Sequence, residues 1–317
     1  MLGIKKHCIT LVEIFRMLYC DFKYQMGYSL SSPFNNTEQM ALAKIMLTMH
    51  QLEKGLSHNP KRKNWGGEKA RELSKNIINF FNLYQDNVRV QTGIDILFKY
   101  SRDEAACKDE DLMKLIDEVI KYKRPGYDYG GTKEVRMPVF QCEEDDIWQF
   151  FESRHSIRDY SDEEISTKEI EKAVKFASLT PTACNRQTSK VYAFRDKNLI
   201  NKILDTQLGN QGWCNNAKVL FVIVGNGSYF NVSYESKQVY IDGGMYSMNF
   251  CMGLHLQKIG TCFKMFVRRP KEERQFRKIT GIKDFEIPIV LIMAGHYPTD
   301  GNIHYSPKSH RIVEYGV

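Results

Sequence analysis

Residues 166–194 of this chain read STKEIEKAVKFASLTPTACNRQTSKVYAF and contain, in order, the signals of a helix, a loop and a strand. Ser166 and Glu169 form the S-x-x-E pattern of a capping box, which predicts a helix that begins at this point. Pro181 fixes the turn in the loop that follows. Val191–Phe194 is a short apolar run of strand length. This stretch therefore predicts a domain in which helices alternate with the strands of one sheet.

Two further apolar, β-branched runs extend this pattern toward the C-terminus. They are Val219–Val224 and Ile287–Ala294, and both have the length and composition of strands. A long helix is predicted between them, from roughly Tyr240 to Lys258. The second half is therefore predicted to be α+β or α/β around a single sheet.

The first half has a different pattern. Apolar residues recur there at spacings of three and four, as at Ile45, Met49 and Leu52, and no alternating run indicates a strand. Residues 125–131, PGYDYGG, are rich in helix-breaking residues and are interpreted as a linker. We therefore predict an all-helical N-terminal region over residues 1–130 and a second domain over residues 140–317.

The long helix has two kinds of surface. One face is apolar and the neighbouring face consists mostly of small residues, which predicts a helix buried on both sides. The small face could pack on another subunit, and otherwise the helix lies in the core of its own chain. The apolar face contains Ile241, Met245, Met248, Met252, Leu256 and Ile259, and the second face contains Tyr240, Gly244, Ser247 and Cys251.

Composition limits the class of protein without specifying its function. The chain has 317 residues, of which 42% are hydrophobic and 26% charged, as in soluble globular proteins. The net charge of +7 permits an anionic ligand but does not demand nucleic acid. We expect neither a membrane span nor a signal peptide, because charged residues interrupt the apolar N-terminus. The eight cysteines form no CxxC pair, so we expect reduced thiols and a cytoplasmic location.

Four short segments contain the residues suited to binding chemistry. Arg154–Arg158, RHSIR, and Pro307–Arg311, PKSHR, offer cations and hydroxyl groups to a phosphate or to a polarised carbonyl. Leu179–Gln187 contains amides that can donate and accept along the edge of a flat ring. Ile259–Cys262, IGTC, ends the long helix, and Gly260 is interpreted as its C′ residue, with no side chain to exclude a ring. Each segment alone is also typical of a solvated turn or a hydrogen-bonded loop.

In this order and in these contexts, the four segments resemble the nitroreductase family. The resemblance extends from about Ile147 to Arg311 and includes a final strand that ends in Gly-His-Tyr-Pro298. It implies an α+β fold with a nitroreductase-like mixed sheet flanked by helices. It also implies an FMN-dependent oxidoreductase that accepts electrons from NADH or NADPH, works as a homodimer and reduces a small-molecule acceptor.

The sequence departs from the family's usual pattern at three places. Thr188-Ser189 follows the loop glutamine where Pro-Trp is common, and His155 stands where a second arginine is frequent. Only Gly225–Val239 connects the second strand to the long helix, where many relatives have a helical lid. Because the lid is so short, we expect the N-terminal region to help cover the flavin, and the identity of the acceptor stays open.

The resemblance implies a role for each matching residue. Arg154, Ser156, Lys308 and Arg311 would hold the FMN phosphate, and Arg158 would face the N1–O2 side of the ring. Asn185 would pair with the pyrimidine edge, while Gly260 and Thr261 would approach the ring through their backbone. No catalytic acid or base and no metal ligand is predicted. The complete set of predicted cofactor-binding residues is Arg154, His155, Ser156, Arg158, Thr182, Ala183, Cys184, Asn185, Gln187, Gly260, Thr261, Lys308 and Arg311.

Two other functions remain open. One is a flavin-modifying or dehalogenating relative, and the other is an interaction protein in which the flavin is structural. Gly225-Asn-Gly227 follows a strand but lacks the third glycine of a dinucleotide-binding loop, so we interpret it as a turn.

Overall fold

The computed structural model describes residues 2–32, 37–58, 60–133, 141–207, 216–266, 270–299 and 303. It confirms the α+β class, with helices alone at the N-terminal end and a sheet flanked by helices after residue 140. Among the described helices, none is both long enough and apolar enough to cross a membrane.

Five helices form the N-terminal region, as far as the structure describes it. Side-chain caps begin two of them: Asn87 accepts a hydrogen bond from the amide of Arg89, and Asp109 accepts one from the amide of Leu112. Buried residues of the last four of these helices form one hydrophobic cluster that also includes Tyr229 from the second half. The helices are α1 (Leu2–Tyr28), α2 (Glu38–Ser57), α3 (Gly67–Leu83), α4 (Val88–Arg102) and α5 (Glu110–Ile120).

The predicted linker at residues 125–131 is fastened to α4. The buried carboxylate of Asp95 accepts hydrogen bonds from Lys123 Nζ at 2.5 Å and from the amide of Gly130 at 2.9 Å. Although burial opposes ionisation, these bonds and the ammonium of Lys99 hold the pKa of Asp95 below its ordinary value. The end of the helical region is therefore anchored by a charged group that is rarely buried without such partners.

The described part of the second half is built around a four-stranded sheet in the order β1-β2-β4-β3. The two central strands are covered on both faces by helices. The strands are β1 (Ser189–Phe194), β2 (Val219–Asn226), β3 (Ile259–Met265) and β4 (Glu286–His296). The helices are α6 (Glu144–Glu152), α7 (Thr167–Ala177), α8 (Lys197–Asp205), α9 (Val232–Glu235), α10 (Gln238–His255) and α11 (Pro270–Thr280).

Alternation along β2 explains the two layers. Leu220, Val222 and Val224 pack in one cluster with residues of α8 and α11. Val219, Phe221 and Ile223 point to the other face and pack with residues of α7 and α10. Because successive side chains of a strand point to opposite faces, one continuous apolar run can fill both layers.

The sheet is less mixed than the resemblance implied. All pairings between the four described strands are antiparallel. At the β3 edge of this sheet, Ser156 and Thr261 form an isolated parallel bridge. The expected mixed sheet is therefore corrected to an antiparallel one with a single parallel bridge, among the residues that the structure describes.

The orientation of α10 differs from the prediction. Its buried side is formed by Tyr246, Phe250 and Leu254, which pack against the sheet, whereas Ile241, Met245 and Met248 are 40–52% exposed. Of the small-residue face, Ser247 and Cys251 are buried within the chain, and Tyr240 and Gly244 are exposed. The prediction of burial on both sides was wrong for the single chain, because periodicity identifies apolar faces but not the surface that covers them.

The end of α10 was also predicted wrongly. The helix ends at His255, and β3 begins at Ile259. Lys258, with φ of 60°, takes the left-handed position of the turn, and Gly260 lies inside β3 opposite Gly295. Gly260 is therefore not a C′ residue.

Candidate active site

The basic segment Arg154–Arg158 runs beside β3. The amide of Ile157 donates to the carbonyl oxygen of Thr261 at 2.9 Å, and Ser156 forms the parallel bridge with Thr261. A Cβ atom added to Gly260 would lie 2.9 Å from Ile157 Cβ, which is closer than side chains pack. Glycine at this position thus allows the basic segment to approach the strand, and the structure brings Arg154–Arg158 together with Gly260 and Thr261.

Arg154 lies in a half-buried surrounding that sequence analysis did not identify. Its positive charge acts on three groups, Cys251, His255 and Tyr297. Burial raises the pKa of the Cys251 thiol, while a 2.8 Å hydrogen bond with Thr261 Oγ1 and the charge of Arg154 oppose that rise. Apolar burial with one cation makes this end of the sheet suited to an anionic group.

His255 connects the elements around Arg154. Its Nε2 lies 2.9 Å from Ser153 Oγ and 3.1 Å from the carbonyl oxygen of Phe150, and its Nδ1 lies 3.3 Å from the Tyr297 hydroxyl. Burial lowers the pKa of His255, and the charge of Arg154 lowers it further, against the Phe150 carbonyl. The imidazole therefore joins the end of α6 to Tyr297, the residue that follows β4. No local motif reveals this role of His255, because Ser153 and Phe150 are 102 and 105 residues away in sequence and Tyr297 is 42 residues away.

Arg158 and His155 complete this group. Both side chains are half-buried, and Arg158 Nη1 donates to the carbonyl oxygen of Ser156 at 3.3 Å. This bond folds the Arg158 guanidinium back along its own segment, which the pairing with Thr261 holds next to β3.

The loop Thr182–Gln187, here termed the cofactor loop, has an unusual backbone. Cys184, Asn185 and Gln187 have φ values of 52°, 51° and 49° without being glycines. Each such residue costs on the order of 1–3 kcal/mol and persists only where its surroundings hold it. Thr182 supplies part of this support, because its Oγ1 accepts from the amide of Gln187 at 3.0 Å.

Other elements supply the rest of the support. The buried carboxylate of Asp242, in the first turns of α10, accepts from the amide of Ala183 at 3.1 Å. The side chain of Asn185 is exposed, and its Oδ1 accepts from Gln187 Nε2 at 3.1 Å. The amide groups that were predicted to meet a flavin edge thus lie together at the surface of the loop.

Arg186 is a residue of this loop that the prediction left out. Its side chain is only 1% exposed and forms an ion pair with Glu235 in α9. Its Nη1 also donates to the carbonyl oxygen of Tyr229 at 2.8 Å. Burial opposes ionisation of Glu235, but the hydrogen bonds from Arg186 and the Asn231 amide hold the pKa of that carboxyl below its ordinary value. An arginine in a polar loop is usually exposed, so the sequence alone gave no sign of this pair.

The two groups of predicted residues lie apart in one chain. The cofactor loop leads into β1 at one edge of the sheet, and Thr261 lies in β3 at the other edge. Their anchors on α10, Asp242 and Cys251, are nine residues apart, which corresponds to about 14 Å along a helix. The predicted phosphate ligands Lys308 and Arg311 lie outside the described residues.

Comparisons with known proteins agree with the resemblance seen in the sequence. The model of the nitroreductase family matches residues 151–211. An Archaeoglobus fulgidus protein named "Putative NADH dehydrogenase/NAD(P)H nitroreductase" is 26% identical over 153 residues, which covers 48% of this chain and 86% of that protein. These matches confirm the resemblance to oxidoreductases of the nitroreductase family.

Solved structures similar to this chain include two bacterial proteins. One is an FMN-dependent nitroreductase from Clostridium difficile R20291, which is 18% identical to this chain, with a TM-score of 0.42. The match covers 49% of this chain and 90% of that protein. The other is a nitroreductase family protein from Streptococcus pneumoniae TIGR4, which is 19% identical, with a TM-score of 0.43. That match covers 51% of this chain and 96% of that protein.

Proposed function

We propose that this nitroreductase-type oxidoreductase binds FMN at the β3 edge and uses it to pass electrons from NADH or NADPH to an electron-poor small molecule. When bound, FMN supplies the hydride chemistry, and the protein supplies binding, orientation and electrostatics. The observation that supports this proposal is the pairing of Arg154–Arg158 with Thr261, which brings two of the predicted phosphate ligands, Arg154 and Ser156, next to β3.

The residues at this edge fit a flat, anionic cofactor. Arg154 and Ser156 are half-buried beside β3, and the missing side chain of Gly260 leaves room for Ile157 of their segment. In the proposal, Arg154 and Ser156 bind the phosphate together with Lys308 and Arg311. Arg158 stabilises negative charge on the ring, because a cation within a few ångströms favours it in a partly desolvated site.

The cofactor loop completes the site in the proposal. Asn185 donates to and accepts from the pyrimidine edge of the ring, and Thr182, Cys184 and Gln187 line it. Because this loop lies at the opposite edge of the sheet, we propose that it serves the flavin of a second subunit.

A homodimer through α10 would combine these parts. Ile241, Met245 and Met248 form an apolar stripe that is exposed in the single chain, next to the exposed Gly244. Contiguous exposed apolar residues of this kind mark interaction sites. Two copies packed along this stripe would cover it on both, which is the reason for proposing a dimer.

A second function is favoured by a separate observation on α1. Its large apolar side chains Phe15, Leu18 and Phe22 are 52–69% exposed, as expected for a helix that meets a partner. In that case the chain would be an interaction protein with a structural flavin.

Steady-state turnover distinguishes the two functions. The purified full-length protein is supplied with NADH or NADPH and a quinone or nitroaromatic acceptor. An oxidoreductase consumes the nicotinamide in proportion to the acceptor. A structural flavin gives at most one equivalent of reduction per site, and that result would reject the proposed enzyme.

A further inference from the structure

The cofactor loop is strained, and part of what holds it comes from the N-terminal helical region. Its three residues with positive φ need contacts that fix them. The contacts from Asp242 and Glu235 fix Ala183 and Arg186. These contacts leave the carbonyl group of Gln187, at the end of the loop, to be held from elsewhere.

Arg89, in the first turn of α4, supplies that contact. Its Nη2 donates to the carbonyl oxygen of Gln187 at 3.0 Å, across 98 residues of sequence. Its Nη1 donates to the Tyr229 hydroxyl at 2.7 Å, and the guanidinium lies over the Tyr229 ring at 5.4 Å. One planar guanidinium therefore bonds two separate segments, which lysine cannot do with the same geometry.

Tyr229 carries the effect of Arg89 to a second loop residue. It is 1% exposed, and its backbone carbonyl accepts from Arg186. Gln39 of α2 lies 3.3 Å from the same hydroxyl. Through Gln187 directly and through Tyr229 indirectly, the helical region contacts two consecutive residues of the cofactor loop.

The position of Arg89 is itself fixed. Asn87 caps α4 by accepting a hydrogen bond from the Arg89 amide at 2.9 Å. Val90, the next residue, is buried in the helical core. Arg89 thus extends from a rigid helix end, as expected of a group that orients a functional loop.

We propose that Arg89 is a positioning residue, through which the N-terminal helical region sets the conformation of the cofactor loop and so the affinity for FMN. The expected effect on FMN affinity rests on the proposed function, whereas the expected effect on the loop conformation does not. The helical region lies outside the matched family segment, so this contact is a feature of the extended chain.

The test compares two full-length variants that remove an arginine from the same helix. Arg89→Met breaks both bonds, and Arg102→Met is the control, because Arg102 lies over the Phe98 ring at 4.1 Å, at the other end of α4. FMN dissociation constants are measured by fluorescence titration. Amide exchange of residues 183–188 is measured by mass spectrometry without flavin. We expect Arg89→Met to weaken FMN binding and to speed loop exchange by about tenfold each, the factor for one hydrogen bond to a charged group.

Rescue separates positioning from general loss of stability. We expect millimolar guanidinium to restore FMN affinity to Arg89→Ala but not to an Arg102→Ala variant. Equal FMN affinity and equal loop exchange in the two methionine variants would overturn the inference. So would an increase in exchange that is spread over the whole chain and not confined to the loop. If the wild type binds no FMN, the proposed function fails, and loop exchange still decides the role of Arg89.

Discussion

The two groups of predicted flavin-binding residues are held by different forces. The segment Arg154–Arg158 is placed by backbone pairing with β3, and Gly260 makes that approach possible. The cofactor loop is placed by individual side chains from α4, α9 and α10 against a strained backbone. Backbone pairing tolerates most substitutions, whereas a loop fixed by single side chains depends on each of them.

This difference predicts where the protein is sensitive. Substitutions in the backbone contact at the β3 edge should lower stability by disturbing packing. The conformation of the cofactor loop should instead depend on single side chains that are distant from it in sequence.

The largest effect is expected at the buried anchor of the loop. Arg186→Met leaves the carboxylate of Glu235 without its partner, and such a loss typically costs about 3 kcal/mol or more. The free energy of unfolding is measured by urea titration. Lys114→Met, which breaks an exposed ion pair with Glu110, is the control and should change stability by less than about 1 kcal/mol. Similar losses in the two variants would show that Arg186 does not anchor the loop.

Packing at the β3 edge should give the next largest effect. Gly260→Val places a side chain where a Cβ atom already lies 2.9 Å from Ile157, and overpacking of this kind costs about 1–3 kcal/mol. We expect lower thermal stability and loss of FMN during gel filtration. Gly27→Val is the control, since a Cβ atom there meets nothing within 4 Å. A Gly260→Val protein that keeps its flavin would contradict the close approach.

The proposed dimer is tested at Gly244. A Cβ atom there meets nothing within 4 Å in the single chain, so Gly244→Leu should leave the fold intact. Across a helix contact between subunits, the same side chain should cost about 1–3 kcal/mol per subunit. Sedimentation velocity measures the dissociation constant of the dimer. Gly244→Ala adds a smaller side chain and should weaken the dimer less than Gly244→Leu. A flavin-loaded monomer in the wild type would refute the dimer.

Electrostatics at Arg158 should shift the flavin potential. Removal of a cation from beside the ring disfavours the reduced, negatively charged flavin. Arg158→Glu should therefore lower the midpoint potential more than Arg158→Ala does. We expect the midpoint potential to fall by roughly 30 mV or more for Arg158→Glu, the equivalent of about 1.4 kcal/mol for two electrons. Anaerobic dye equilibration measures it. An unchanged potential in a variant that still binds FMN would reject this role.

The smallest effect is expected from acid. In the folded protein the pKa of Glu235 lies below its ordinary value of about 4.3. The ionised Glu235 therefore contributes its full stabilisation above about pH 4.3. This stabilisation is lost as the pH falls through the lower folded pKa. We expect the cofactor loop to loosen below about pH 4, with faster release of flavin. Glu235→Gln should lack this acid dependence. An identical pH profile in both proteins would exclude Glu235 as its cause.

Local signals in the sequence were sufficient for much of the fold. The capping box at Ser166 is present, with both reciprocal hydrogen bonds, and begins α7. Strands β1, β2 and β4 coincide with the three apolar runs. Strand β3 was missed because it begins four residues after α10 ends and was interpreted as the end of that helix.

Long-range contacts were beyond the sequence. Arg186 and Glu235 are 49 residues apart, and Arg89 and Gln187 are 98 apart. Nothing in their local surroundings distinguishes these arginines from exposed ones. The exposed face of α10 shows the same limit, because an apolar stripe does not reveal whether its own chain or another molecule covers it. The boundaries at residues 130 and 140 stay a prediction, although the helical core includes Tyr229 from the second half.

The most direct test of the account is the cofactor of the full-length protein as purified. Heat-denatured protein is clarified, and the released ligand is identified by chromatography against FMN and FAD standards. A second sample is titrated with NADH and with NADPH in the absence of oxygen. We expect one FMN per chain and loss of its visible absorbance with at least one of the two nicotinamides. FAD, or a colourless protein that cannot take up added FMN, would contradict it.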